Sequence, residues 1–198
     1  MKTLDTFLKN DKYSWIGKVF VNSGKYLGAI NYIVEHKPKF IVEYGGGQST
    51  FAITKLLNYL DYGGKIVGYE SDEYWYEDHI KNGFNEHNNL KLVDITYTRR
   101  DRKYATYGVG YVHPIKDIEG VDFVILDGPD LSKFRNNENP NLHGLTNKDA
   151  TTTFNLEDIV NHLGKQIPYF IDGRNGTVRY YQEFLEYDKI VKDVKNED

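Results

Sequence analysis

Apolar residues along this chain follow two alternating patterns: short runs, and longer stretches in which they recur every three or four positions. The runs centre on Lys39 to Glu43, Lys65 to Tyr69, Val121 to Leu126 and Ile167 to Ile171, and their length and bounding turn residues predict buried strands. Between them, Ser23 to His36 carries Leu27, Ile30 and Val34 at helical spacing ahead of Pro38. Thr50 to Leu60 has a helical apolar face that stops at Tyr62-Gly63-Gly64, and Glu73 to Asn82, Phe154 to Leu163 and Val178 to Leu185 predict further helices. Leu90 to Tyr97 alternates and predicts a third strand at a sheet edge, with Tyr187 to Val194 as a last strand or amphipathic tail.

Strands alternating with helices at this spacing need crossover connections. The expected fold class is therefore α/β: a Rossmann-like, mostly parallel, doubly wound sheet covered on both faces, with a shortened C-terminal strand region. The 198 residues suit one domain, residues 1–22 forming an N-terminal extension and 23–190 the core. Two stretches fit neither period. Residues 98–118 are polar and hold Arg99-Arg100-Asp101-Arg102-Lys103 where a third crossover helix belongs; residues 130–153 are rich in Asn and carry Pro140, His143 and Gly144. Loops this long in a compact domain carry function or move, and both are expected to cover substrate. The basic run reads either as a clamp for an anionic group or as a solvated loop.

Composition narrows the classes. With no cysteine, the chain forms no disulfide, zinc-thiolate site or thiol nucleophile. A net charge of −4 argues against a general polyanion binder, so nucleic acid is not expected as a partner and a small-molecule or saccharide acceptor is. No stretch has the length of a membrane span and Met1 to Phe7 lacks a secretory apolar run, so a cytoplasmic protein is expected. The 17 tyrosines exceed what a minimal core needs and suit a pocket, an interface or half-buried surface.

Four predicted strands end in a carboxylate: Glu43 before Gly45-Gly46-Gly47, Glu70, Asp127 before Gly128-Pro129, and Asp172 before Gly173-Arg174. In an open α/β sheet the ligand crevice lies beyond the carboxyl ends of the strands, so these four share one rim. After Glu43 the glycines let backbone approach a ligand, and Ser49 or Thr50 suits a helix cap. A plain strand-to-helix connection is the bland reading of the same turn.

The pattern Glu43-x-Gly45-x-Gly47-x-Ser49-Thr50, with Glu70 closing the next strand, resembles the cofactor turn of class I S-adenosylmethionine-dependent methyltransferases, and the order of elements over about residues 23–190 is similar too. That resemblance implies S-adenosyl-L-methionine as cofactor, with Glu43, Gly45, Gly46, Gly47 and Ser49 beside its methionine portion and Glu70 accepting from both ribose hydroxyls. It implies that Asp127 faces the cofactor and the transferred methyl, with Pro129 and Arg174 toward the substrate. Asp127, Asp172 and His143 are the candidate catalytic residues, with His113 behind them. The implied reaction is O-methylation of a small molecule, sugar or glycan precursor. In relatives resembling catechol O-methyltransferase, an Asp-Asn pair after the fifth strand helps hold a divalent cation. Asp172-Gly173-Arg174 stands there instead, so a metal is not favoured and Arg174 brings the positive charge. Two alternatives remain: a nicotinamide-dependent Rossmann oxidoreductase, whose third fingerprint glycine is replaced by Thr50, and a non-catalytic binding or scaffold protein on the same fold.

Overall fold

Strand β1 (Phe40–Tyr44) is buried along its whole length and is the axis on which the rest is arranged. The computed structural model describes residues 4–9, 14–16, 26–85, 88–102, 105–129, 152–172, 177–178, 180–181 and 190–191. Ahead of β1 come α1 (Leu4–Leu8), a short α2 (Ser14–Ile16) and α3 (Leu27–His36). After it follow α4 (Gln48–Leu60), β2 (Lys65–Glu70), α5 (Glu73–Lys81), β3 (Leu90–Leu92), β4 (Ile95–Arg102) and β5 (Ala105–Tyr111). A 3-10 turn (Ile115–Ile118) leads to β6 (Phe123–Leu126), and β7 (Thr152–Thr153), α6 (Asn155–Leu163), β8 (Tyr169–Ile171) and β9 (Ile190–Val191) complete the described elements.

The main sheet has the order β3-β2-β1-β6-β8-β9, and every pairing in it is parallel. This is the expected α/β class with a Rossmann-like doubly wound sheet. Strand succession reverses between β1 and β6, which defines a switch point with a crevice beyond the carboxyl ends of those two strands. Lying between two strands and covered on both faces, β1 reads as an apolar run in which Glu43 is the one charged member.

One face of the sheet presents Ile41, Ile66, Phe123, Ile125 and Phe170 to Ile30 and Ile33 of α3 and Ile53 and Leu56 of α4. Phe7 and Ile16 bury in the same cluster, so the N-terminal segment supplies core side chains. On the other face Val42, Tyr44, Tyr69, Val124 and Leu126 pack with Leu156 and Ile159 of α6 and Tyr111 of β5. Part of the tyrosine surplus is therefore structural, since Tyr44, Tyr69, Tyr180 and Tyr181 are among the largest fully buried side chains.

Residues 98–118 differ from the expected loop. Leu90 to Tyr97 divides at Val93-Asp94: β3 ends the main sheet, while β4 opens an antiparallel hairpin with β5, joined by β7 in a second three-stranded sheet. The polar run from Arg99 to Arg102 hides the hairpin in the sequence because an antiparallel pair does not need both faces buried. Gly110 of β5 gives way to Phe154, whose Cε2 would lie 2.5 Å from any Cβ placed there. Asn155 then ties the hairpin to α6, accepting the Tyr111 N–H at 2.8 Å and donating to its carbonyl at 2.9 Å. The third crossover is thus this hairpin and a 3-10 turn. Of the other expected loop, residues 130–151, with Pro140, His143 and Gly144, lie outside the described residues, as do 173–176, with Arg174. Among the described residues no helix is long and apolar enough to cross a membrane.

Candidate functional site

Glu43 sits under the glycine turn with no exposed surface. A carboxylate removed from water must be met by donors, and the chain supplies them from two helices. Thr50, in the first turn of α4, donates its hydroxyl to Glu43 Oε2 at 2.5 Å, and the Tyr26 hydroxyl, at the start of α3, lies 2.9 Å from Oε1. Burial raises the Glu43 pKa from 4.5 to about 7; hydrogen bonds from Ser49, Thr50 and Tyr26 pull it down, and the charge of Glu70 adds to the rise.

Thr50 also fixes the turn itself. Its Oγ1 accepts the Gly47 N–H at 3.1 Å, so the helix begins at Gly47 with a reach-back from Thr50 rather than with a Ser49 or Thr50 cap. The Gly45 and Gly46 amides donate to the Tyr69 carbonyl at 2.9 and 3.0 Å, binding the turn to β2. Gly45 holds φ +89°, and a Cβ there would lie 2.6 Å from the Gly128 Cα and 2.7 Å from the Asp127 carbonyl carbon. The loops after β1 and β6 therefore touch backbone to backbone. Gly47 has an extended φ of 169° that any residue adopts, and its missing side chain makes room for the His79 imidazole of α5.

Across the switch point, the Asp127 and Gly128 amides both donate to the Tyr44 carbonyl, at 2.8 and 2.7 Å. Gly128, joined to the buried Pro129 by a cis peptide bond, accepts the Thr153 hydroxyl on its carbonyl. The half-buried Asp127 carboxylate has Oδ2 2.7 Å from the Tyr26 hydroxyl, so the one phenol reaches both Glu43 and Asp127. Burial, then the charges of Glu43 and Asp127, push the Tyr26 pKa well above 10. At the end of β2, Glu70 Oε1 accepts the Ser71 and Asp72 amides at 2.6 and 2.8 Å, which orients its half-buried carboxylate beside the turn.

The structure thus brings together Glu43, Gly45, Gly46, Gly47, Ser49, Glu70, Asp127 and Pro129. Asp172 reaches the same rim through its amide, which donates to the Leu126 carbonyl at 3.0 Å. His113 does not join them. Its Nε2 lies 2.8 Å from the Tyr44 hydroxyl, its ring stacks on Tyr69 at 4.4 Å, and burial lowers its pKa. With Nδ1 toward the Pro114 carbonyl, the consistent tautomer accepts from Tyr44, so the basic nitrogen is already engaged. Among the described residues no three His, Asp or Glu side chains converge to hold a metal. His143 and Arg174 lie outside those residues. Sequence reasoning missed Tyr26 and His79, which no local signal marks, and assigned Thr50 only to capping, although its place at the third fingerprint position is the visible clue.

Whether this rim suits S-adenosylmethionine is tested by its polar atoms. An oriented carboxylate at the end of β2 matches a vicinal diol, which donates two hydrogen bonds. His79 Nδ1 is buried and finds no hydrogen-bond partner among the described residues, and its ring lies against Gly47, leaving a polar atom beside the turn for a ligand to meet. The residues present fit.

No family model matches the chain, and no curated protein does. Among solved structures, the hMettl16 catalytic domain in complex with MAT2A 3'UTR hairpin 1 is similar at 15% identity, covering 94% of this chain and 62% of that one, with a TM-score of 0.38. The same domain in complex with hairpin 6 gives 17% identity, 94% and 63% coverage and a TM-score of 0.34. The chain spans less than two thirds of that domain's length. Both of those structures hold RNA hairpins, against the expectation drawn above of a small-molecule or saccharide acceptor with nucleic acid set aside. A whole-chain charge of −4 does not decide the character of any one surface.

Proposed function

We propose that this chain binds S-adenosylmethionine in the crevice beyond β1, β2 and β6 and transfers its methyl group to an acceptor. One observation carries the reading: the switch point of the parallel sheet gathers the Gly45-Gly46-Gly47 turn, Glu70 and Asp127 at one crevice. When bound, the cofactor supplies an electrophilic methyl carbon on a sulfonium. Glu70 accepts from the two ribose hydroxyls, and the turn backbone borders the methionine portion. Asp127, half-buried across the switch point, takes the proton that the acceptor loses. Much of the catalysis is positioning, because transfer requires acceptor, carbon and sulfur in line.

A dinucleotide is the rival ligand for this topology, and a detail of the turn weighs against it. A pyrophosphate would be held by free amides at the N-terminus of α4, yet the Gly47 N–H is given to Thr50, the residue standing where a third glycine is needed. A sulfonium needs no such amides and is favoured by neighbouring carboxylates.

The test is incubation of the full chain with S-adenosylmethionine labelled on the methyl group and a cell extract, followed by separation into nuclease-sensitive and nuclease-resistant fractions. Label passing into either fraction, and lost with Asp127→Asn, supports the proposal. No transfer to any fraction by folded protein contradicts it.

A further inference from the structure

Tyr26 is an unusual residue for its position. It begins α3 with φ 63°, a left-handed conformation that a bulky side chain adopts only when its surroundings over-determine it. Those surroundings include the Phe170 ring at 5.6 Å and, at the phenol end, Ser49, Glu43 Oε1 at 2.9 Å and Asp127 Oδ2 at 2.7 Å. A phenol carries one proton, so it donates to only one of these two oxygens. Both contacts are hydrogen bonds only when the chain of three groups holds a second proton on a carboxyl. Glu43 is the fully buried member and Asp127 the half-buried one, so the second proton belongs on Glu43, which donates to Tyr26 while Tyr26 donates to ionised Asp127. The Glu43 pKa of about 7 agrees with that distribution.

We infer that Tyr26 is a positioning residue that holds the Asp127 carboxylate by its single hydroxyl and makes Glu43 and Asp127 compete for that proton. When Glu43 gives up its proton to solvent, the phenol turns its O–H to Glu43 and away from Asp127; when Glu43 is protonated, the phenol donates to Asp127 and favours its ionised form. Only O–H bonds change, and no other reactant is involved. Facing this chain are Ser49 of α4 on both Glu43 and Tyr26, Thr50 on Glu43, Gly68 of β2, which brings no side chain, and Glu70 at the end of that strand. The inference rests on the methyl-transfer reading only in naming Asp127 as the base.

The experiment is a carbon NMR titration of side-chain carboxyls in protein labelled at glutamate Cδ, with the Glu43 signal identified by its loss in Glu43→Gln. Replacing Asp127 by Asn should lower the Glu43 midpoint by about one pKa unit, tenfold in proton affinity, because a neutral amide competes for the phenol proton less well than a carboxylate. The same replacement in a Tyr26→Phe background should move it far less, since the shared donor is gone. Equal shifts in both backgrounds overturn the inference, as does an unmoved Glu43 midpoint in Asp127→Asn alone, which needs no Tyr26 variant to fold. Binding of S-adenosylhomocysteine to the same samples separates this from the proposed function: uncoupled carboxyls with intact binding overturn the coupling only, and coupled carboxyls in a protein that does not bind support the coupling and contradict the methyl-transfer reading.

Discussion

Replacing Glu43 by Gln should abolish a pH dependence of folding that runs opposite to ordinary acid denaturation. A carboxyl whose pKa is 4.5 unfolded and about 7 folded binds more protons in the native state between those values, so stability falls as pH rises through the window. The sign is reversed from a salt-bridged carboxylate, because here burial outweighs the three donors. Each pKa unit is about 1.4 kcal/mol, and integrating the two titrations from pH 5 to pH 8 gives a loss of roughly 2–3 kcal/mol. His79 and His113, whose pKa values burial lowers, contribute with the opposite sign, since each is stabilised as pH rises through its unfolded value. They are present in both proteins and cancel in the difference. Urea unfolding of wild type and Glu43→Gln at intervals from pH 5 to 8 is the assay. The stability difference, wild type minus variant, should fall by that amount across the range. A flat difference would show that Glu43 is ionised in the native protein at pH 5, and the account of its burial would be wrong.

Two further outcomes follow from the same geometry. Gly45→Ala forces a Cβ against the fixed backbone of Gly128 at φ +89° and should cost roughly 2–5 kcal/mol in urea unfolding. Gly47→Ala meets only the end of the His79 side chain in an extended backbone and should cost clearly less; equal costs would refute the packing argument. Glu70→Ala, with its fold checked by circular dichroism, should weaken S-adenosylhomocysteine by roughly 10- to 150-fold, the loss of one strong charge-assisted interaction, and an unchanged affinity would remove Glu70 from the ribose.

Much of the scaffold could be read from the chain because its strands are local signals. Phe40 to Tyr44 and Lys65 to Glu70 are apolar runs closed by punctuation, and α4 and α5 keep their period. The hairpin of β4 and β5 was hidden because its stabilising neighbours, Phe154 and Asn155, lie far along the chain. Residues 1–22 looked like an extension because Phe7 and Ile16 stand in short segments without a sustained period, yet both reach the core. The rim carboxylates were visible one by one, but their roles were not. Glu43 reads as a strand-end acid facing a ligand; in the fold it is buried under the turn, and its partners Tyr26 and Asp127 come from elements on either side of β1. The glycines were read as room for a ligand, whereas Gly45 and Gly47 also make room for Gly128 and His79, a requirement only tertiary packing imposes.

The central claim is that the crevice beyond β1, β2 and β6 takes S-adenosylmethionine. Isothermal titration of the full chain with S-adenosylhomocysteine, and separately with NAD, tests it most directly. The account predicts one saturable site for S-adenosylhomocysteine, weakened by Glu70→Ala, and no measurable binding of NAD. Saturable NAD binding, or no binding of S-adenosylhomocysteine by well-folded protein, would contradict it.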